Sequence, residues 1–274
     1  MKIYLGPAGV PLSSKKHTSV DGIKIVSGFG LQAMECEFVH GVRMSRVAAK
    51  EVAEVNKEYG IKLSVHAPYF INLNSQKKEI IDASKKMIFD SADRGEIMGA
   101  EAIAIHSAYY SGASQEETFE KVEEGFLDIL DKMKSHGIKK IKLGVETMAK
   151  ESQFGTLDET IELCKKVKGV IPYIDWAHLF ARNDGKINFE EVFDKLEPLK
   201  LEHIHSHFEG LKYNTKTMKF VDVHVPINSH PPFEPLAKEI LKRKIDITII
   251  SESPLLEQDS LKMKKILENL GHKF

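Results

Sequence analysis

Short apolar runs alternate with longer amphipathic stretches from one end of the chain to the other. The runs at 2–6 (KIYLG), 33–39 (AMECEFV), 62–66 (KLSVH), 102–106 (AIAIH), 141–147 (IKLGVET), 170–175 (VIPYID), 200–207 (KLEHIHSH) and 246–252 (DITIISE) have the length and residue types of strands. Amphipathic spacing predicts helices over about 44–59, 75–99, 114–136, 156–167, 189–196, 232–244 and 258–271. Buried strands alternating with helices indicate a parallel sheet. Eight such units favour a (β/α)8 TIM barrel over a doubly wound sheet, an α/β fold with a single domain across 1–274.

Local signals support these boundaries. Ser75 and Ser114 are suited to cap helices, and Ser114 is followed by Glu117 at capping-box spacing. Gly60 and Gly99 stand where helices should stop. Within 75–99, Ile80, Ile81, Met87, Ile88 and Ala92 recur at near-helical spacing. Residues 18–30 are ambiguous, a short first helix interrupted by Gly22, Gly28 and Gly30. The longest connection without a predicted element is 208–231, and a loop of that length in a compact domain is usually functional.

A length of 274 residues suits one α/β barrel and buries a substantial core without disulfides. Cys36 and Cys164, the two cysteines, fall inside apolar periodic segments and read as small core residues in a reducing compartment. There is no signal-peptide pattern and no run long enough to span a bilayer, so a soluble, cytoplasmic protein is expected, with no membrane partner and as a monomer. The formal net charge of −1 argues against coating nucleic acid by bulk positive charge, yet it leaves room for a local basic groove.

The chemistry gathers where the strands end. His66, His106, Glu146, Asp175, His207 and Glu252 each close one of the third to eighth apolar runs, the end at which (β/α)8 barrels build their active sites. One such residue is ordinary; six in succession suggest a shared site, because buried carboxylates and imidazoles are costly without a metal or a partner. Asp175 and His178 lie three residues apart as the sixth strand exits, and Asp222 and His224 lie two apart in the long connection. His203, His205 and His207 alternate onto one face of the seventh strand. His207 is nearest the active end, with His205 as its alternative or as a supporting residue. Five histidines with four carboxylates and no cysteine suit Zn2+ and tolerate Mn2+ or Fe2+. Nine ligands exceed the needs of one ion and imply two to three.

With these residues placed, the chain resembles the endonuclease IV family of apurinic/apyrimidinic (AP) endonucleases. The resemblance rests on VHAPYFINL, AIAIHSA, GVETMA, YIDWAHLFA, HSHFEG, FVDVH and SESP, which supply the nine positions in order over almost the whole chain. It implies one zinc held by His66, His106 and Glu146. A second would be held by Asp175, His207 and Glu252 with Glu146 as bridge, and a third by His178, Asp222 and His224. The implied reaction is hydrolysis of double-stranded DNA 5′ to an abasic site, giving a 3′-hydroxyl and a 5′-deoxyribose phosphate, with Glu146 and Glu252 as catalytic residues. Family members insert side chains at the lesion; the counterparts here are Arg43, Tyr69 and Phe70, for which a surface arginine and plain packing above the barrel are the alternatives. The chain departs from the family where LGPAGVP lacks a histidine after the first strand, at Ala67-Pro68, and at HFEG in place of an HLN-type sequence. The rival expectation is a sugar isomerase or epimerase with a single metal on Glu146, Asp175, His207 and Glu252.

Overall fold

Eight parallel strands form one twisted sheet that closes almost completely on itself. The computed structural model describes all of residues 1–274. In chain order the elements are β1 (Ile3–Pro7), α1 (Ser19–Gly28), β2 (Ala33–Glu37), α2 (Arg46–Tyr59), β3 (Lys62–His66), α3 (Lys78–Met98), β4 (Ala102–Ile105), α4 (Gln115–Ser135), β5 (Lys142–Glu146), α5 (Leu157–Lys166), β6 (Val170–Asp175), α6 (Trp176–Arg182), α7 (Phe189–Leu196), β7 (Ile204–Phe208), β8 (Gly210–Asn214), β9 (Lys219–Val225), α8 (Phe233–Arg243), β10 (Ile247–Ser251) and α9 (Glu257–Asn269). The barrel order is β1-β10-β7-β6-β5-β4-β3-β2. β1 and β2 complete the ring: Gln32 N donates to the Leu5 carbonyl and Gly9 N to the Glu35 carbonyl, each at 3.0 Å. Gly6 permits that approach, since a Cβ there would lie 1.6 Å from the Ala33 carbonyl oxygen. This is the (β/α)8 architecture expected from the alternation.

The helices wrap the barrel and bury one continuous apolar layer against it. Trp176 is fully buried there, with its ring 5.8 Å from Phe189 and 5.1 Å from Phe193. Truncating such a residue typically costs about 3–5 kcal/mol. Inside the barrel the filling is different: Ala102 and Ala104 pack around Tyr173 in a small cluster separate from the main core.

Three local expectations are corrected. Ser75 does not cap α3; its hydroxyl accepts from Lys77 N in a turn, and Lys77 occupies the cap position without a side-chain bond. Residues 208–231 are not an irregular loop, because β8 and β9 pair there as an antiparallel hairpin with a register shift at Leu211/Lys212. α6 was not anticipated. It is a seven-residue helix that begins directly where β6 stops. The ambiguous 18–30 segment contains α1, capped by Thr18, whose hydroxyl accepts from Asp21 N. Ser114 and Glu117 form the expected capping box.

Candidate metal centre

All nine residues singled out at the strand ends and in the following connections converge at the C-terminal rim of the barrel. His66, Glu146 and Asp175 are the last residues of β3, β5 and β6; His106 and Glu252 directly follow β4 and β10; His207 is the penultimate residue of β7. The Asp175 side chain also caps α6 by accepting from His178 N at 2.7 Å, which sets His178 in the first helical turn beside it. Asp222 and His224 are carried in by β9, where strand alternation puts both on one side.

Three groups of potential ligand atoms result, with the atoms of each group within 4.8 Å of one another: His66, His106 and Glu146; Glu146, Asp175, His207 and Glu252; His178, Asp222 and His224. Glu146 belongs to two of them. His66 Nε2 and His106 Nε2 lie 3.3 and 3.0 Å from Glu146 Oε2. His178 Nε2 and His224 Nε2 lie 3.5 and 3.4 Å from Asp222 Oδ1.

The imidazoles are oriented from behind. Nδ1 of His66 faces the Ala67 carbonyl at 2.7 Å, Nδ1 of His178 the Thr147 carbonyl at 3.0 Å, and Nδ1 of His224 the Glu252 carbonyl at 3.1 Å. A carbonyl oxygen only accepts, so each Nδ1 carries a hydrogen and each Nε2 is presented to the cluster. This is how metal-binding histidines are generally held. His207 is reversed: its Nε2 lies 2.8 Å from Glu35 Oε1, and its Nδ1 points at Glu146 Oε1 (3.1 Å) and Glu252 Oε1 (3.5 Å). His66 Nε2, Glu146 Oε2, Asp175 Oδ2 and His178 Nε2 are buried without a hydrogen-bond partner. In that tautomer all four are acceptors with free lone pairs, and buried acceptors converging along one rim fit divalent cations, since each is costly to leave unpaired.

The electrostatics carry the same message. Burial disfavours charge on His66, but the adjacent Glu146 carboxylate, with Glu37 and Glu252, brings it up to about 10. His224 is likewise opposed by burial and brought to about 10, chiefly by Glu209 and Asp222. Asp222 is held well below the usual carboxylate range despite its burial, by His178, His224 and Lys150; Lys150 Nζ lies 3.0 Å from its Oδ2. Burial dominates at Asp175 and Glu209 and pushes both up. The rim therefore has more acidic groups than positive charge to match them, and protons on the imidazoles compete with any cation for the same atoms.

Three acids, two of them fully buried, were missed from sequence. Glu35 accepts from the hydroxyls of Ser64 (2.7 Å) and Tyr173 (2.8 Å) besides facing His207. Glu37 is half-buried at the end of the same strand, and desolvation with the neighbouring charge of Glu35 raises it to about 8. The available signal was the pair of carboxylates flanking Cys36 within the apolar run AMECEFV. Glu209 is 0 % exposed beside the third group, and its signal was the departure HFEG. His205 does not join the rim. It lies lower in the barrel with His203, whose Nε2 is 2.8 Å from Thr248 Oγ1. Arg43, Tyr69 and Phe70 lie in the loops after β2 and β3, which are joined where Tyr69 N donates to the Val39 carbonyl at 3.2 Å. Arg43 is exposed, Tyr69 is 42 % exposed with its ring against His66 and His106, and Phe70 is 65 % exposed. Phe70 is thus not part of the packing above the barrel. No helix is long and apolar enough to cross a membrane.

A nearly closed (β/α)8 barrel with a multi-residue candidate metal site at its C-terminal rim defines the class of protein. The profile of the xylose isomerase-like TIM barrels, AP endonuclease family 2, matches residues 23–270, and the chain belongs to that family. An uncharacterized protein of Methanocaldococcus jannaschii is 32% identical over 98% of both chains. A probable endonuclease 4 of Staphylococcus carnosus is 28% identical over 56% of this chain and 55% of its own length, so the match spans about half of that relative. Among solved structures, endonuclease IV from Thermus thermophilus superposes with a TM-score of 0.72 at 17% identity over 98% of both chains. A D-tagatose 3-epimerase-like protein gives 0.74 at 20% identity, covering 98% of this chain and 96% of its own. At these identities the two structures establish a shared fold.

Proposed function

We propose that the protein is a metal-dependent endonuclease that hydrolyses the phosphodiester bond of double-stranded DNA 5′ to an abasic site, leaving a 3′-hydroxyl and a 5′-deoxyribose phosphate. The observation that carries this reading is the three contiguous ligand groups around Glu146, since a single-metal enzyme needs only one of them. His66, His106 and Glu146 would hold one cation, Glu146, Asp175, His207 and Glu252 a second, and His178, Asp222 and His224 a third. The nitrogen and oxygen donors suit zinc and accommodate manganese. Cations bound there supply a lowered pKa for water and positive charge facing phosphate oxygens.

The chain's own groups do the rest. Glu146, shared by two groups and fully buried, fixes the spacing of the cluster. Glu252 projects from a loop braced by Asp259 and faces His207 and His224, a position from which it orients the attacking oxygen. Phe70 and Tyr69 offer aromatic surface to unstacked bases beside the cluster, and Arg43 offers charge to the backbone. An abasic nucleotide has no pairing to break, so drawing it into a narrow rim costs less than flipping an intact one.

A second reading is favoured by one observation: Glu146, Asp175, His207 and Glu252 by themselves make a four-ligand group of the kind a sugar isomerase or epimerase would use with one metal. The two are separated by incubating the metal-loaded protein with a duplex bearing one synthetic abasic site, with and without chelator. The endonuclease reading expects a single nick 5′ to the lesion, lost on chelation and regained with Zn2+ or Mn2+. An intact duplex, with ketose epimerisation by the same preparation, would overturn it in favour of the sugar enzyme.

A further inference from the structure

Glu209 has no place in either ligand scheme, although it sits against the third group. It follows β7 directly, is 0 % exposed, and neither carboxylate oxygen has a hydrogen-bond partner. Structural glutamates in this barrel look different: Glu35 accepts from two hydroxyls, and Glu257 accepts from Leu12 N and Ser13 N at 2.9 and 3.1 Å. A carboxylate removed from water with no donor carries a large desolvation cost, relieved either by taking up a proton or by a positive charge brought against it.

The backbone holds Glu209 in this position. Gly210 starts β8 so close to the hairpin's far end that a Cβ would lie 2.3 Å from the Pro226 carbonyl oxygen. Leu211 N then donates to the His230 carbonyl at 2.7 Å. With the chain pinned on that side, Glu209 faces the rim: Oε1 lies 3.9 Å from His224 Nε2, and a ligand atom lies within 4.8 Å of those of Asp175 and His178.

Building on the multinuclear reading above, we propose that Glu209 is a fourth protein ligand of the cation held by His178, Asp222 and His224. Two carboxylates and two neutral imidazoles then surround a divalent ion, so the site is formally charge-neutral without a phosphate from the substrate. The ion is retained by the free protein, and the added oxygen donor widens the site's acceptance of Mn2+ beside Zn2+. The HFEG departure from the family pattern becomes a change in the metal centre itself.

The test needs no DNA. Demetallated wild type and Glu209→Gln are titrated with Zn2+ by calorimetry and with Co2+ by its visible absorption, in chelator-buffered solutions. The wild type is expected to take up a third ion that Glu209→Gln binds more than about tenfold more weakly. The circular dichroism and melting temperature of the demetallated variant should equal or exceed the wild type's, because the amide replaces a carboxyl group that has no hydrogen-bond partner to lose. Equal stoichiometry and affinity in both proteins would overturn the proposal while leaving the multinuclear centre intact. One ion or none in the wild type would overturn both readings. Glu209→Asn, compared in the same way, guards against misfolding of the first variant.

Discussion

Glu35 and His207, 172 residues apart in sequence, meet inside the barrel with Oε1 of the acid 2.8 Å from Nε2 of the imidazole. Both are 0 % exposed. The pair sits on β2 and β7, and the hydroxyls of Ser64 and Tyr173 fix the second oxygen of Glu35. Burial opposes charge on both partners but is outweighed: the charge and hydrogen bond of His207 hold Glu35 below the usual carboxylate range, and Glu252, followed by Glu35, raises His207 well above a free imidazole. The outcome is directional, because an Nε2 engaged with Glu35 turns Nδ1 toward Glu146 and Glu252.

Replacing Glu35 should therefore weaken metal retention without touching a ligand. Glu35→Gln keeps the shape but removes the charge that orients His207, and affinity for the most tightly bound zinc is expected to fall about 10- to 100-fold. Tyr173→Phe, which removes one donor to Glu35, should give a smaller loss of the same sign. Competition against a chromophoric chelator measures both. Retention equal to wild type in Glu35→Gln would mean that His207 is oriented by something else.

Glu146→Ala removes the one carboxylate shared by two ligand groups. Incision of an abasic duplex is expected to drop at least about a hundredfold, with fewer ions bound per chain and an unchanged far-ultraviolet spectrum. The ion count matters here. Lost incision with full metal content would reassign Glu146 to proton transfer.

The barrel and most of its rim were legible because both follow from chain periodicity. An apolar run ending in His66, Glu146 or Asp175 announces a buried strand and a polar tip in the same few residues. Glu35 and Glu37 were hidden for the opposite reason: they lie within a strand, where alternating polar residues ordinarily face solvent, and only barrel closure turns that face inward. α6 escaped because Asp175 ends one element and caps the next, leaving no loop to mark the boundary. The β8–β9 hairpin is rich in lysine and threonine and makes few buried contacts, so its pairing has little hydrophobic signature. Glu209 was visible only as a departure, since the meaning of a single acid depends on what surrounds it in space.

Phe70 should separate binding from folding. At 65 % exposure its truncation to alanine is expected to change stability by less than about 0.5 kcal/mol. Stacking on a base is worth about 1–3 kcal/mol, so KM for abasic duplex should rise about tenfold or more while kcat changes less. Arg43→Ala should raise KM and flatten its dependence on salt. A wild-type KM in both variants would remove these loops from the DNA-binding surface.

Asp259 links the fold's stability to pH through the loop that carries Glu252. Its carboxylate accepts from Ile227 N at 2.9 Å, from Lys262 Nζ at 2.6 Å and from the Ser253 hydroxyl, and so ties α9 to the segments after β9 and β10. Burial raises its pKa, but the hydrogen bonds from Lys262, Ser253 and Ile227 outweigh that and leave it lowered. A carboxyl whose folded pKa lies below its unfolded value of about 3.9 contributes stability that is fully present above that value and lost as pH falls through the folded pKa. Asp259→Asn is accordingly expected to cost about 1–3 kcal/mol at neutral pH, with the gap to wild type narrowing as the pH falls below about 4. Urea denaturation of the two proteins at a series of pH values measures that gap. A difference independent of pH would show that Asp259 acts through its shape alone. Loosening this brace should also free Ser253 and its neighbour Glu252, so metal retention is expected to fall together with stability in the variant.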